Sequence, residues 1–279
     1  MRTYLRGMKI LGAASLLAFG LFSGSVLAAG IANSKHDLSN NASNTAGSAS
    51  GAGANGTTEI CVFCHTPHGS AASTNGPLWN RTASAASYTN YANAESMDSA
   101  GLTPSSSSLA CLSCHDGTVA MDSLVNKPGS GTGAPTYTWA GAAFTTKLLS
   151  SAAALIGSDL RNDHPIGVAY CGGFVTAGGA CVDGDFFTAN LFRNGTASMV
   201  NTGTAADKWW IETGANTTRN KTDLILYARS FVQTGAGAGT FVQPSVECAS
   251  CHNVHDNANG TFLRMANTGS ALCLTCHNK

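Results

Sequence analysis

Apolar residues gather in a few short stretches, separated by long runs of small and polar residues. The first stretch, Ile10 to Phe22, follows Arg2, Arg6 and Lys9 and precedes Val26-Leu27-Ala28. A basic start, an apolar middle and a small-residue end predict a secretion signal over residues 1–28, cut after Ala28. A retained membrane anchor is the rival reading, but the run falls short of the ~20 apolar residues a span requires. No other stretch is long and apolar enough to cross a bilayer, so no membrane span is expected after cleavage. Downstream, Leu148, Leu149, Ala153, Leu155 and Ile156 predict a weak helix over 147–160. It ends near Asp163-His164-Pro165, because the residue before proline is pushed to extended backbone. Trp209 to Glu212 and Asp223 to Tyr227 predict a small β-hairpin, and Thr240 to Gln243 an edge strand before Pro244.

The polar runs are equally informative. Ser39 to Thr58 is Ser, Asn, Gly and Ala with few other residues, a composition that behaves as flexible coil. His36 therefore belongs to an N-terminal arm with a linker, residues 29–58, ahead of a single domain over 59–279. Gly76-Pro77-Leu78-Trp79-Asn80 reads as a turn presenting an aromatic side chain. Charged residues make up only 11 % of the chain, and glycine alone accounts for 32 positions. Such a chain has few long apolar faces to pack against one another. The three basic residues of the signal leave 12 against 15 acidic, a formal −3 for the mature protein. Clustered Lys and Arg, the footprint of a nucleic-acid binder, are missing.

One pentapeptide changes the picture. Cys61-Val62-Phe63-Cys64-His65, Cys111-Leu112-Ser113-Cys114-His115, Cys248-Ala249-Ser250-Cys251-His252 and Cys273-Leu274-Thr275-Cys276-His277 share the pattern Cys-x-x-Cys-His. That pattern is the attachment signature of c-type haem. Two thiols form thioether links to the porphyrin, and the adjacent His becomes the proximal iron ligand. Four copies predict four c-type haems. With so little apolar surface of its own, the chain is expected to be mostly irregular and loop-rich, with short helices and a small β-hairpin, wrapped around four stacked haems. Zinc is the rival chemistry of repeated Cys-x-x-Cys, but each zinc site needs two pairs together. Two of the ten cysteines remain, Cys171 and Cys181, in a Gly-rich segment. In an oxidising compartment they are expected to close a local disulfide, with a pair of reduced buried thiols as the other reading.

The histidines match the haem count. Beyond the proximal His65, His115, His252 and His277, the eight histidines leave His36, His68, His164 and His255, one for each iron. Bis-His ligation throughout is the expectation, with Met97, Met121, Met199 and Met265 as the other distal candidates. His68 follows His65 by three positions, and His255 follows His252 by three. On a turn or helix that spacing projects both rings to a similar side, so each pair cannot flank one iron. His68 and His255 are thus expected to serve a different haem from the one their own motif binds, which draws neighbouring haems together. Six-coordinate iron leaves no open site for a substrate. An electron carrier is therefore expected rather than an enzyme, and a multihaem oxidoreductase with one open iron is the alternative.

The run Cys61 to His68, the run Cys111 to Thr118 and the segment Glu247 to Lys279 resemble the doubled-motif multihaem cytochromes of metal-reducing bacteria. The contexts of His36 (Ser-Lys-His-Asp-Leu-Ser) and His164 (Asp-His-Pro-Ile-Gly) resemble distal-ligand motifs of that group. Haem number, size and order are similar to the OmcE-type extracellular tetrahaem cytochromes. That resemblance implies an extracellular filament with haems stacked in a continuous chain and one axial His donated by a neighbouring copy, His36 being preferred to His164 for that role. Redox partner cytochromes and extracellular electron acceptors are the implied partners. A monomeric periplasmic carrier is the alternative.

Overall fold

The computed structural model describes residues 30–39, 57–71, 76–91, 97, 99, 101–129, 148–149, 153–173, 181–187, 208–211, 213, 220–233 and 239–278. The predicted signal, most of the linker and Met199 lie outside the described residues.

Among the described residues, the largest regular element is an antiparallel sheet of four strands in the order β1-β4-β3-β2. The strands are β1 (Val168–Ala169), β2 (Lys208–Ile211), β3 (Leu224–Gln233) and β4 (Gly239–Val246). The β2–β3 pairing sets Trp209 opposite Leu226 and Ile211 opposite Leu224. Side chains alternate across a strand, so these four share one face. All four are buried, and with Tyr170 and Cys171 they form one apolar core. The predicted hairpin is thus β2 and the first half of β3. The expected edge strand at Thr240 is instead an inner strand. β4 passes through Pro244, whose carbonyl accepts the Tyr170 N–H at 2.9 Å while Ala228 stands opposite it in β3. A proline reads as a strand end because it lacks an N–H, yet here its acceptor is what the neighbouring chain uses.

The described residues include three short helices: α1 (Ser106–His115), α2 (Cys248–Cys251) and α3 (Ala271–Cys276). A 3-10 helix covers Cys61–Phe63. The helix expected over 147–160 is not formed among the described residues of that stretch. Residues 153–154 are turn, Gly157 has a φ of +79°, and the N–H groups of Ile156 and Gly157 both donate to the His115 carbonyl. Those donors cap the end of α1 rather than extend a helix of their own. Leu38, Phe63, Met121 and Leu124 form a second small core around the first two Cys-x-x-Cys-His units. Cys171 and Cys181 are joined by a disulfide, with Cα atoms 4.6 Å apart, and Cys171 lies within the first core.

Candidate haem-binding site

Every Cys-x-x-Cys-His unit sits on a helical turn. The first lies on the 3-10 helix, the second ends α1, the third forms α2 and the fourth closes α3. A helical turn brings residues i and i+3 to one side, which is what two thiols on one porphyrin edge require. The N–H groups of His65, His252 and His277 donate to the carbonyls of Cys61, Cys248 and Cys273 at 2.8, 3.1 and 2.9 Å. Each proximal His is thereby held at the end of its turn.

The ring orientation is fixed from outside the motif. Nδ1 of His65 donates to the Pro77 carbonyl at 2.8 Å, that of His115 to Ala154 at 2.7 Å, and that of His252 to Thr261 at 2.9 Å. A carbonyl only accepts, so Nδ1 carries the proton and Nε2 keeps its lone pair for a metal. The turn at Gly76 to Asn80 therefore does two things: Pro77 fixes the His65 ring and Trp79 stands edge-on to it, with centroids 6.0 Å apart. The indole Nε1 of Trp79 is buried without a partner among the described residues. His164 Nδ1 donates to the adjacent Pro165 carbonyl at 3.1 Å, and the residue is exposed. The His277 ring packs against Phe186 at 4.7 Å.

Two of the candidate distal ligands face proximal ones. The rings of His65 and His255 have centroids 6.1 Å apart with planes 17° from parallel. Those of His36 and His115 are 5.9 Å apart with planes at 75°. A metal bound by two opposed imidazoles sits about 2 Å from each nitrogen, which places the ring centres about 6 Å apart. Both pairs fit that span. His255 thus faces the motif-one histidine rather than its own neighbour His252. Burial, with His115 and then His252 nearby, lowers the His36 pKa to about 4, so its ring is neutral, the form that ligates. His68, like His164, is exposed.

The cysteines of the four units run through space in the order of the sequence. Cys64 is held up at about 12 by burial, and next by the nearby Cys114 thiol. The Cys111 thiol lies beside the Cys248 thiol, which pushes it up. Burial also pushes the Cys251 thiol up, with Cys273 the next cause, and takes Cys276 to about 12, with Cys251 the next cause. Motif one therefore adjoins two, two adjoins three, and three adjoins four. Among the described residues, which include all eight of these cysteines, no group of three or more Cys, His, Asp or Glu converges on a point. Two thiols and an adjacent imidazole on one turn are the donor set a c-type haem would take up.

Two supports of this array have no motif signature. Glu247, 1 % exposed, joins α1 to α2: its carboxylate accepts from Ser108 Oγ at 2.5 Å and from Arg229 at 2.6 Å. Phe262, buried at 6 %, stacks on His36 with centroids 4.3 Å apart and planes 11° from parallel. Phe262 and Thr261 have φ of 59° and 41°, a region non-glycine residues avoid at a cost on the order of 1–3 kcal/mol each. That turn directs the Thr261 carbonyl at His252 and the Phe262 ring at His36. The only signal in the sequence was Asn257 to Gly260, which reads as a turn without revealing its targets.

Residues 243–279 match the family model described as the doubled CXXCH motif. No curated protein matches the chain. The matched segment carries the third and fourth units and binds c-type haem, as in multihaem c-type cytochromes that transfer electrons. Among the described residues, no helix is long and apolar enough to cross a membrane.

Proposed function

We propose that the protein is an exported tetrahaem c-type cytochrome that conducts electrons through bis-His haems and passes them to acceptors outside the cell. Cys61 and Cys64, Cys111 and Cys114, Cys248 and Cys251, and Cys273 and Cys276 hold the four porphyrins. Proximal ligands are His65, His115, His252 and His277. The observation that carries the reading is the pair of facing imidazoles, His65 with His255 and His36 with His115, at the span one metal requires. The haem supplies the reversible one-electron couple; the chain supplies imidazoles whose Nδ1 bonds fix the tautomer at His65, His115 and His252, and motifs that adjoin one another. Distal roles at the third and fourth irons fall to His68 and His164.

The same proposal includes a filament in which one axial histidine comes from a neighbouring copy. His36 is the ligand the sequence favours for exchange, but it lies against His115 and Phe262 of its own chain. His164 is exposed, which supports His164 as the exchanged ligand. A pyridine haemochrome assay of the secreted protein tests the core of the reading: four haems per chain are expected, and two or fewer overturn it. Negative-stain microscopy of outer-surface preparations separates thin filaments from the alternative, a monomeric periplasmic carrier. His164→Ala protein is expected to keep four haems and lose assembly. A high-spin, ligand-binding iron in the wild-type protein would favour the oxidoreductase reading instead.

A further inference from the structure

The two facing imidazole pairs differ in one respect that their spacing does not. The planes of His65 and His255 are 17° apart, and those of His36 and His115 are 75° apart. Each member of the second pair is held separately. His115 is fixed by its Nδ1 bond to Ala154 at 2.7 Å. On the other side, His36 lies flat on Phe262, 4.3 Å away and 11° from parallel. Rotating His36 toward the His115 plane would drive its edge into the Phe262 face. Phe262 itself has little freedom. Its carbonyl accepts from Asn253 N at 2.7 Å, and its N–H donates to Asn257 Oδ1 at 3.4 Å. The next residue, Leu263, is bridged to His252 and bonds back to Gly260 at 3.0 Å.

We propose that Phe262 is a positioning residue that sets the His36 ring across the His115 ring, so that the second haem is electronically unlike the first. The inference rests on the bis-His reading above. Imidazoles with parallel planes donate into the same iron d orbital and separate it from its partner. Crossed imidazoles donate into both orbitals and leave them nearly degenerate. Crossed pairs give a highly anisotropic low-spin signal with a large maximal g value, and parallel pairs give an ordinary rhombic one. Orientation of an axial ligand by its own neighbours is a general means of tuning a metal site. Neighbouring haems on one chain then differ through one aromatic ring and not through a change of ligand.

Low-temperature electron paramagnetic resonance of the oxidised, haem-loaded full-length chain tests this. The wild-type protein is expected to give a rhombic signal and, beside it, a large-g signal. Phe262→Leu keeps apolar bulk but removes the flat face, and the large-g intensity is expected to fall by one spin per chain or move toward the rhombic region. Phe262→Tyr keeps the face and is expected to restore the wild-type spectrum. A wild-type spectrum with no large-g signal overturns the proposal, and so does a Phe262→Leu spectrum identical to wild type. If Phe262→Leu fails to retain its haems, Phe262→Met, which also lacks a flat face, is read in its place against Phe262→Tyr. Integration separates the two layers: fewer than four low-spin irons in the wild-type protein refutes the bis-His reading, whereas four irons with an unaltered Phe262→Leu spectrum refutes only the role of Phe262.

Discussion

The carboxylate of Glu247 accepts a hydrogen bond from Ser108 Oγ, 139 positions earlier in the chain, at 2.5 Å. The same hydroxyl accepts from the Cys248 N–H at 3.0 Å, and Ser105 N donates to Glu247 Oε2 at 3.2 Å. Glu247 also forms a capping box with Ser250 at the start of α2. One buried acid thereby locks the helix of the second motif to that of the third. Its removal leaves Arg229 without its carboxylate and α2 without its cap. Losing one partner of a buried ion pair costs on the order of 3–5 kcal/mol. Glu247→Ala is expected to destabilise the haem-loaded protein by about 3 kcal/mol in denaturant unfolding, and Glu247→Gln by less, since the amide still accepts.

The strained turn before Leu263 gives a change of opposite sign. Glycine adopts a φ of about +40° freely, whereas β-branched threonine does not. Thr261→Gly keeps the carbonyl that orients His252 and is expected to raise stability by about 1 kcal/mol, allowing for the greater entropy of glycine in the unfolded chain. A shift of the thermal midpoint upward, with an unchanged haem spectrum, is the expected result; a downward shift would show that the Thr261 side chain has a role of its own.

Much of the candidate site was legible because it rests on local chemistry. Cys-x-x-Cys-His is read without knowing the fold, and the i, i+3 spacing of His252 and His255 already assigns them to different irons. The hairpin of Trp209 with Leu226 was legible from its alternation. The register beyond Tyr227 was hidden by Pro244, and α1 by its serines. Ser108 and Ser113 are polar in sequence but buried, because Glu247 and the Ala110 carbonyl bond them. Conversely, Leu148, Leu155 and Ile156 looked like one face of a helix, yet the backbone there closes onto His115. Phe262 was not legible at all. Its partner His36 lies more than 220 positions away, and nothing in either local sequence specifies that contact.

Loss of a distal ligand has a spectroscopic outcome. His255→Ala is expected to convert one of the four irons from low to high spin, with the other three unchanged, in visible and paramagnetic resonance spectra. His36→Ala is expected to act on a different iron, so the double variant carries two high-spin centres. A His255→Ala protein that retains four low-spin irons would contradict the pairing with His65.

The disulfide closes a short loop beside the sheet core. In the chain-entropy model a loop of about ten residues contributes about 2–3 kcal/mol. The Cys171→Ala, Cys181→Ala double variant is expected to lose that much in unfolding free energy. Its haem count is expected to stay at the wild-type value, because neither cysteine belongs to an attachment motif.

The attachment sites adjoin one another in sequence order, Cys64 beside Cys114, Cys111 beside Cys248 and Cys251 beside Cys273. For the proposed conductor this is a mesh rather than a single file, because His255, from the peptide of the third motif, also faces His65 of the first. Damage at the second station would then lower end-to-end current without severing the first from the third.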